Sequence, residues 1–129
     1  MSDLKQAHVL LAAAERDFHA LRGMEDATVF ADEIFGFHVQ QAAEKLFKAW
    51  LALLGEAYPS THDLARLVEI MRAQEAAVSK FDNLVEYTSF AVQFRYAPSD
   101  QGTSPLNRSL AVRRVEALLN SVRSRLADL

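Results

Sequence analysis

The stretch that decides the fold is His38-Val39-Gln40-Gln41-Ala42-Ala43-Glu44-Lys45-Leu46-Phe47-Lys48-Ala49-Trp50-Leu51-Ala52-Leu53-Leu54-Gly55. At about 100° per residue, an α-helix gathers its apolar residues on one broad arc, namely Val39, Ala43, Leu46, Trp50, Leu53 and Leu54. Its polar residues fall on the opposite arc, namely His38, Gln41, Glu44, Lys45 and Lys48. The stretch therefore predicts a central helix that packs through one face and leaves the other available for chemistry.

Apolar spacing also predicts the first helix and the limits of the central one. Steps of three and four residues separate the apolar positions Leu4, Ala7, Leu11, Ala14, Phe18 and Leu21. This spacing predicts helix one over residues 2–22, and helix two follows over residues 28–54. Gly55 suits the left-handed conformation that ends many helices, and Pro59 prevents continuation.

Three more helices complete the predicted fold. The third begins after a cap at Ser60 or Thr61 and ends near Ala73. Apolar residues over 84–94 predict the fourth, and the breakers over 95–105 predict a loop before a fifth helix over 105–127. No stretch alternates with the period of two that a strand requires. We therefore predict an all-α, up-and-down four-helix bundle with one additional short helix, folded as a single domain over residues 1–129.

Composition limits the chemistry. The chain has no cysteine, which excludes disulfides, thiolate nucleophiles and cysteine-ligated zinc. The histidines at positions 8, 19, 38 and 62 lack metal-ligand spacing, and no glycine-rich phosphate loop is present. No apolar run approaches the roughly 20 residues that span a bilayer. We expect a cytoplasmic protein with no metal, no cofactor and no membrane association.

Charge is distributed unevenly along the chain. The net charge is −3, yet the part from residue 95 onward holds six arginines against three acidic residues. Five of these arginines do not share one helical face: Arg108, Arg113, Arg114, Arg123 and Arg125. We therefore interpret the last helix as a solvated helix and not as a track for phosphates.

Three places offer polar groups for a site. The first is the stripe on helix two, where Glu44 and Lys48 also have the spacing of an ordinary i,i+4 ion pair. The second is Thr61-His62-Asp63, where a helix N-terminus favours an anion, although the stretch can equally be a capping turn in which Asp63 complements the helix dipole. The third is Arg95-Tyr96, where the arginine can neutralise a helix C-terminus or bind phosphate in a cleft.

The order and spacing of several motifs resemble the HEPN domain family. The motifs are Phe37-His38-Val39-Gln40-Gln41-Ala42-Ala43-Glu44-Lys45-Leu46-Phe47-Lys48-Ala49, Leu54-Gly55, Tyr58-Pro59, Thr61-His62-Asp63-Leu64 and Phe94-Arg95-Tyr96. The resemblance covers nearly the whole chain, from the Ala14-Glu15-Arg16-Asp17 segment through helix five. It implies a small helical bundle, commonly homodimeric, from the prokaryotic cytosol. It also implies a role in toxin–antitoxin or defence systems, often beside a minimal nucleotidyltransferase.

The resemblance also bears on catalysis. Family members that cut RNA without metal carry an arginine followed four to six residues later by a histidine, where helix four ends. Arg95 matches the arginine, but no histidine follows His62 in this chain. Because the imidazole is the group that exchanges a proton near neutral pH, we expect a protein that is not catalytic by itself. His62 is a candidate substitute if helix three begins beside the end of helix four.

Three functions follow as hypotheses. The leading one is binding of a nucleotide, an RNA end or a nucleotidyltransferase partner in a cleft between helix two, the His62 turn and Arg95. The ligand-binding residues that we predict are Gln41, Glu44, Lys45, Lys48, His62, Asp63, Arg95 and Tyr96. The second is a metal-independent endoribonuclease toxin that uses Arg95 and His62. The third is a structural, dimeric interaction module, for which Phe30, Ile34 and Phe37 offer an apolar surface.

Overall fold

The structure is a computed structural model that describes residues 2–91 and 106–129. Its elements, in chain order, are α1 (Leu4–Gly23), α2 (Asp32–Leu53), α3 (Leu64–Arg72), a 3₁₀ segment (Ala76–Ser89) and α4 (Arg108–Ala127). No strand occurs in the described part of the chain. The prediction of an all-α helical bundle is confirmed.

The second helix lies at the centre of the bundle. It packs most extensively against α1 and also contacts α3, the 3₁₀ segment and α4. Trp50 is fully buried and meets Phe81 of the 3₁₀ segment edge-on, with ring centroids 5.9 Å apart. The guanidinium of Arg125 from α4 lies 4.3 Å from the centroid of the Trp50 ring. The apolar face that the sequence predicts for this helix is thus the junction of three elements.

The first helix follows its sequence pattern closely. Its buried residues step by three and four along one face: Ala7, Leu11, Ala14, Phe18 and Leu21. Asp3 caps it by accepting a hydrogen bond from the backbone N–H of Gln6 at 3.0 Å. At the far end of α2, Gly55 has a φ of 73°, the left-handed conformation predicted for it.

The predicted start of helix two at residue 28 is wrong, because residues 27–29 form a turn and α2 begins at Asp32. The Asp26 carboxylate accepts hydrogen bonds from the backbone N–H and the hydroxyl of Thr28, at 2.9 and 2.6 Å. These bonds lower the pKa of Asp26 and offer the backbone an alternative to the helix. The spacing of apolar residues cannot predict such a competing hydrogen bond from a side chain.

The predicted α-helical start of helix four near residue 84 is also wrong. Residues Ala76–Ser89 form a 3₁₀ segment, α-helical geometry begins at Phe90, and the rest of the predicted helix lies outside the described residues. The buried positions in this segment recur every third residue: Val78, Phe81, Leu84 and Tyr87. Because a 3₁₀ helix has three residues per turn, this spacing keeps all four side chains on one face.

The predicted cap of helix three, Ser60 or Thr61, is wrong, and the last helix begins later than predicted. Asp63 caps α3 by accepting from the N–H of Ala65 at 3.0 Å, so that the helix begins at Leu64. Asn107 caps α4 by accepting from the N–H of Leu110 at 3.0 Å. The last helix therefore begins three residues later than the predicted position 105. In each case the residue nearest the first helical turn satisfies its free N–H groups.

The prediction that the last helix is simply solvated is wrong for its first residue. Arg108 is buried and donates to the carbonyl of Met24 at 2.7 Å and to that of Phe30 at 2.6 Å. It also donates to Oδ1 of Asp32 at 2.8 Å. One side chain thus ties the α1–α2 connection and the start of α2 to α4.

Among the described helices, none has the length and apolarity to cross a membrane.

Candidate functional site

A buried carboxylate lies where α2 faces the start of α3. The side chain of Glu44 is only 8% exposed. Its Oε1 accepts from Nε2 of Gln40 at 3.0 Å, and its Oε2 accepts from Nζ of Lys48 at 2.9 Å. Gln40 is fully buried and also donates to the carbonyl of His62 at 2.9 Å, while its own oxygen accepts from Gln41 at 2.7 Å. We call Gln40, Gln41, Glu44, Lys48 and His62 the Glu44 cluster.

The imidazole of His62 joins this cluster to solvent. Its Nδ1 lies 2.7 Å from Oε1 of Glu44, whereas the side chain as a whole is 61% exposed. An ionised carboxylate can only accept, so Nδ1 carries the proton and its N–H donates a hydrogen bond to Glu44. In the neutral ring this leaves Nε2 as the acceptor. The cluster therefore holds one exposed imidazole in one tautomer.

The same contacts determine the ionisation of Glu44. Burial acts to raise its pKa, but the hydrogen bonds from Gln40, His62 and Lys48 and the charge of Lys48 outweigh it. The net result is a pKa of Glu44 below its usual value. The carboxylate is therefore ionised at neutral pH even though it is shielded from water.

The ammonium group of Lys48 is committed within the cluster. Its side chain is 13% exposed, it forms the ion pair with Glu44, and its Nζ lies 5.9 Å from the centroid of the Tyr58 ring. The hydroxyl of Tyr58 in turn accepts from Nε2 of Gln6 on α1 at 3.4 Å. Lys48 thus neutralises the buried carboxylate instead of presenting an unshared charge to solvent.

A second polar group lies between α1 and α2. Lys45 donates to Oδ2 of Asp17 at 2.5 Å, and Nδ1 of His38 lies 3.7 Å from Oδ1 of the same carboxylate. These three side chains are partly exposed. Lys45 is therefore directed to α1, and it does not contact the Glu44 cluster that the sequence analysis grouped it with.

The structure brings together four of the predicted site residues: Gln41, Glu44, Lys48 and His62. Asp63 lies next to them but acts as the cap of α3. Arg95 and Tyr96 lie outside the described residues. The sequence analysis missed Gln40, although its i,i+4 spacing to Glu44 was a signal that could have found it.

The start of α3 also contacts the end of the 3₁₀ segment. The backbone N–H of Leu64 donates to Oγ1 of Thr88 at 3.2 Å. Residues 62–64 therefore lie beside the part of the chain that leads toward position 95. The end of helix four, which would have to lie beside His62 for it to substitute for the missing histidine, lies outside the described residues. Among the side chains of residues 2–91 and 106–129, no group of three or more metal-ligating types could hold a metal ion.

The fold and the site together define an all-α bundle protein whose polar centre is a buried carboxylate that holds one exposed imidazole. The family model described as HEPN domain matches residues 5–125, and the chain therefore belongs to the HEPN domain family. No curated protein and no solved structure matches the chain. Membership in the family supports a nucleotide- or RNA-related role of a toxin or defence type in general terms.

Proposed function

We propose that this HEPN protein binds a nucleotide or an RNA end through the exposed His62 imidazole and is not catalytic by itself. The proposal places it in a toxin–antitoxin or defence-type system, as a homodimer with a minimal nucleotidyltransferase as protein partner. The observation that carries it is the hydrogen bond of 2.7 Å between His62 Nδ1 and the buried Glu44 carboxylate. This bond fixes the direction in which Nε2 can meet a ligand.

The surrounding charges support binding more than cleavage. Lys45 is paired with Asp17, and Lys48 is paired with Glu44, so neither supplies a free charge to stabilise a cleaving phosphate. Cleavage also needs a base, an acid and positive charge near the reacting phosphorus. The Glu44 cluster exposes only one group that can exchange a proton, which is the imidazole of His62. One oriented imidazole is sufficient for a specific hydrogen bond to a ribose hydroxyl or a phosphate.

Binding measurements with one pair of variants test this proposal. Fluorescence anisotropy with a short labelled RNA, and calorimetry with ATP and GTP at low salt, would compare the wild type with His62→Ala and His19→Ala. His19 is an exposed histidine on α1 and serves as the matched control. We expect His62→Ala to weaken binding about tenfold, because the variant loses one hydrogen bond that involves a charged group. Absence of binding by the wild type, or equal affinity of both variants, would refute the proposal.

A metal-independent ribonuclease is the second candidate, and the contact between Leu64 and Thr88 favours it. This contact places the residue that follows the Thr61-His62-Asp63 turn beside Thr88, seven positions before Arg95 in the sequence, whereas Arg95 itself lies outside the described residues. Neutral Nε2 of His62 would accept the proton of a ribose 2′-hydroxyl while the 2′-oxygen attacks the adjacent phosphorus to form a 2′,3′-cyclic phosphate. The bond to the 5′-oxygen breaks, this oxygen takes a proton from water, and the His62 imidazolium returns its proton to the resulting hydroxide. RNA cleavage in EDTA that is lost in both His62→Ala and Arg95→Ala would establish this candidate. Cleavage that survives both substitutions would eliminate it.

A further inference from the structure

A cavity that shares no residue with the Glu44 cluster lies between the 3₁₀ segment and α4. Its volume is about 770 Å³, within the range of roughly 300–1,000 Å³ that is usual for small-molecule sites. One wall is a single face of α4 on which small side chains leave the space open: Ala117, Ser121 and Ser124. Lys80, Phe81 and Asn83 of the 3₁₀ segment form the opposite wall.

Positive charge dominates the lining. Four cationic side chains, Lys80, Arg113, Arg114 and Arg125, face this cavity against one carboxylate, Asp128. The protein as a whole carries a net charge of −3, so the cavity is a local reversal of the overall sign. A concave surface lined by one sign of charge concentrates ligands of the opposite sign.

Two of these cations are held in place by acidic neighbours, and the other two form no ion pair within residues 2–91 and 106–129. Arg114 donates to Oε1 of Glu86 at 2.9 Å and to the Tyr87 hydroxyl at 3.3 Å. Arg125 donates to Oε2 of Glu75 at 3.1 Å, and its buried Nε has no acceptor among the described residues.

Arg113 bonds only the hydroxyl of Ser109, at 3.3 Å, within the described part of the chain. Lys80 is exposed and makes no ion pair or side-chain hydrogen bond with a described residue. The cavity thus combines fixed guanidinium groups with free charge at its edge.

We infer that this cavity binds phosphate groups, either the polyphosphate of a nucleotide or the backbone phosphates of RNA. Guanidinium and ammonium groups form charge-assisted hydrogen bonds with phosphate oxygens, and the amide and hydroxyl side chains of Asn120 and Ser121 add neutral donors. The inference rests on the proposed function for its choice of phosphate over carboxylate ligands. In this arrangement the cavity supplies the electrostatic attraction that the internally paired lysines of α2 lack.

Two variants of different design test the inference. Lys80→Gln/Arg113→Gln removes the uncommitted charges, and Ala117→Phe fills the cavity at an exposed position without a change of charge. The matched control is Lys5→Gln/Arg16→Gln, which removes two exposed charges from α1. Calorimetry would use pyrophosphate and ATP, and anisotropy would use a short single-stranded RNA. We expect both cavity variants to weaken binding at least about tenfold and the control to stay within about twofold.

The ligands and variants separate the outcomes. Binding of pyrophosphate and ATP identifies a nucleotide site, whereas binding of RNA without pyrophosphate identifies a backbone site. If RNA or ATP binds and only His62→Ala weakens it, the proposed function stands and the cavity inference is wrong. If poly-glutamate displaces the phosphate ligand at equal concentration, the cavity is a general carboxylate site and the inference also fails. If no phosphate ligand binds the wild type, both proposals fail.

Discussion

Glu44 and His62 lie 18 positions apart in the sequence, and their side chains meet at 2.7 Å between Oε1 and Nδ1. The carboxylate is buried and the imidazole is largely exposed. Because Gln40 and Lys48 complete the hydrogen bonding of the carboxylate, the pair is supported from inside the bundle. Residues of α2 therefore determine the orientation of the His62 side chain, which lies just before α3.

Glu44→Gln should lower the free energy of unfolding at neutral pH by about 2–4 kcal/mol. The new amide must turn its NH2 group either toward Gln40 and His62 or toward Lys48, all of which donate, and the charge that pairs with Lys48 is lost. A carboxyl group with a depressed pKa stabilises the fold above its usual pKa, and the contribution is lost as the pH falls through the folded-state pKa. The difference between wild type and variant should therefore shrink below about pH 4.5.

Urea unfolding at a series of pH values measures this difference. Glu69→Gln is the control, because the Glu69 side chain is 70% exposed and its contact with Arg66 is 4.0 Å long. It should change stability by less than about 0.5 kcal/mol at every pH. A difference for Glu44→Gln that stays constant into acid would show that the ionised carboxylate is not what stabilises the cluster.

Substitution of the buried Arg108 should be among the most destabilising changes in α4. Arg108→Leu removes the donor to the carbonyls of Met24 and Phe30 and to Oδ1 of Asp32, whose Oδ2 keeps the hydrogen bond from the backbone N–H of Leu106. We expect a loss of about 3–5 kcal/mol in thermal or urea unfolding. Arg113→Ala, an exposed arginine on the same helix, should cost less than about 0.5 kcal/mol. Equal losses for the two variants would contradict the anchoring role of Arg108.

Gly36 is a contact point between α2 and the beginning of the predicted fourth helix. A Cβ at this position would lie 2.5 Å from the ring of Phe90, which is closer than van der Waals contact allows. Gly36→Ala should therefore destabilise the protein by about 1–3 kcal/mol. Phe90→Leu in the same chain should recover part of that loss.

Gly23→Ala is the matched control for this substitution. No atom lies within 4 Å of a Cβ built at Gly23, which is the last residue of α1. The change should be neutral or stabilising by up to about 1 kcal/mol in urea unfolding. A cost at Gly23 equal to that at Gly36 would contradict the account in which the contact with Phe90 sets the effect.

Sequence reasoning succeeded where one periodicity or one residue type decides the structure. The seam of α1 and the left-handed Gly55 follow directly from spacing and from the freedom of glycine. It failed where a side chain competes with the helix, as Asp26 does, or where the period changes to three, as it does from Val78 to Tyr87. Helical periodicity near 3.6 has no means of detecting either effect.

The sequence indicates which residues form the site, but not which of their side chains contact one another. Angular position on α2 groups Glu44 with Lys48, an i,i+4 pair that forms an ion pair, whereas Gln41 reaches this pair only through Gln40. It could not separate Lys45, since the distance to Asp17 depends on how α1 packs against α2. The burial of Gln40 and the charge of the cavity beside α4 depend likewise on tertiary packing.

The most direct test of the proposed site is an NMR titration of the histidine side chains with a short RNA or with ATP. The free protein should show His62 protonated at Nδ1, as its hydrogen bond to Glu44 requires. On addition of ligand, the His62 ring signals should shift while those of the exposed His8 and His19 stay in place. Unchanged His62 signals under conditions where the ligand binds would contradict a binding site at the Glu44 cluster.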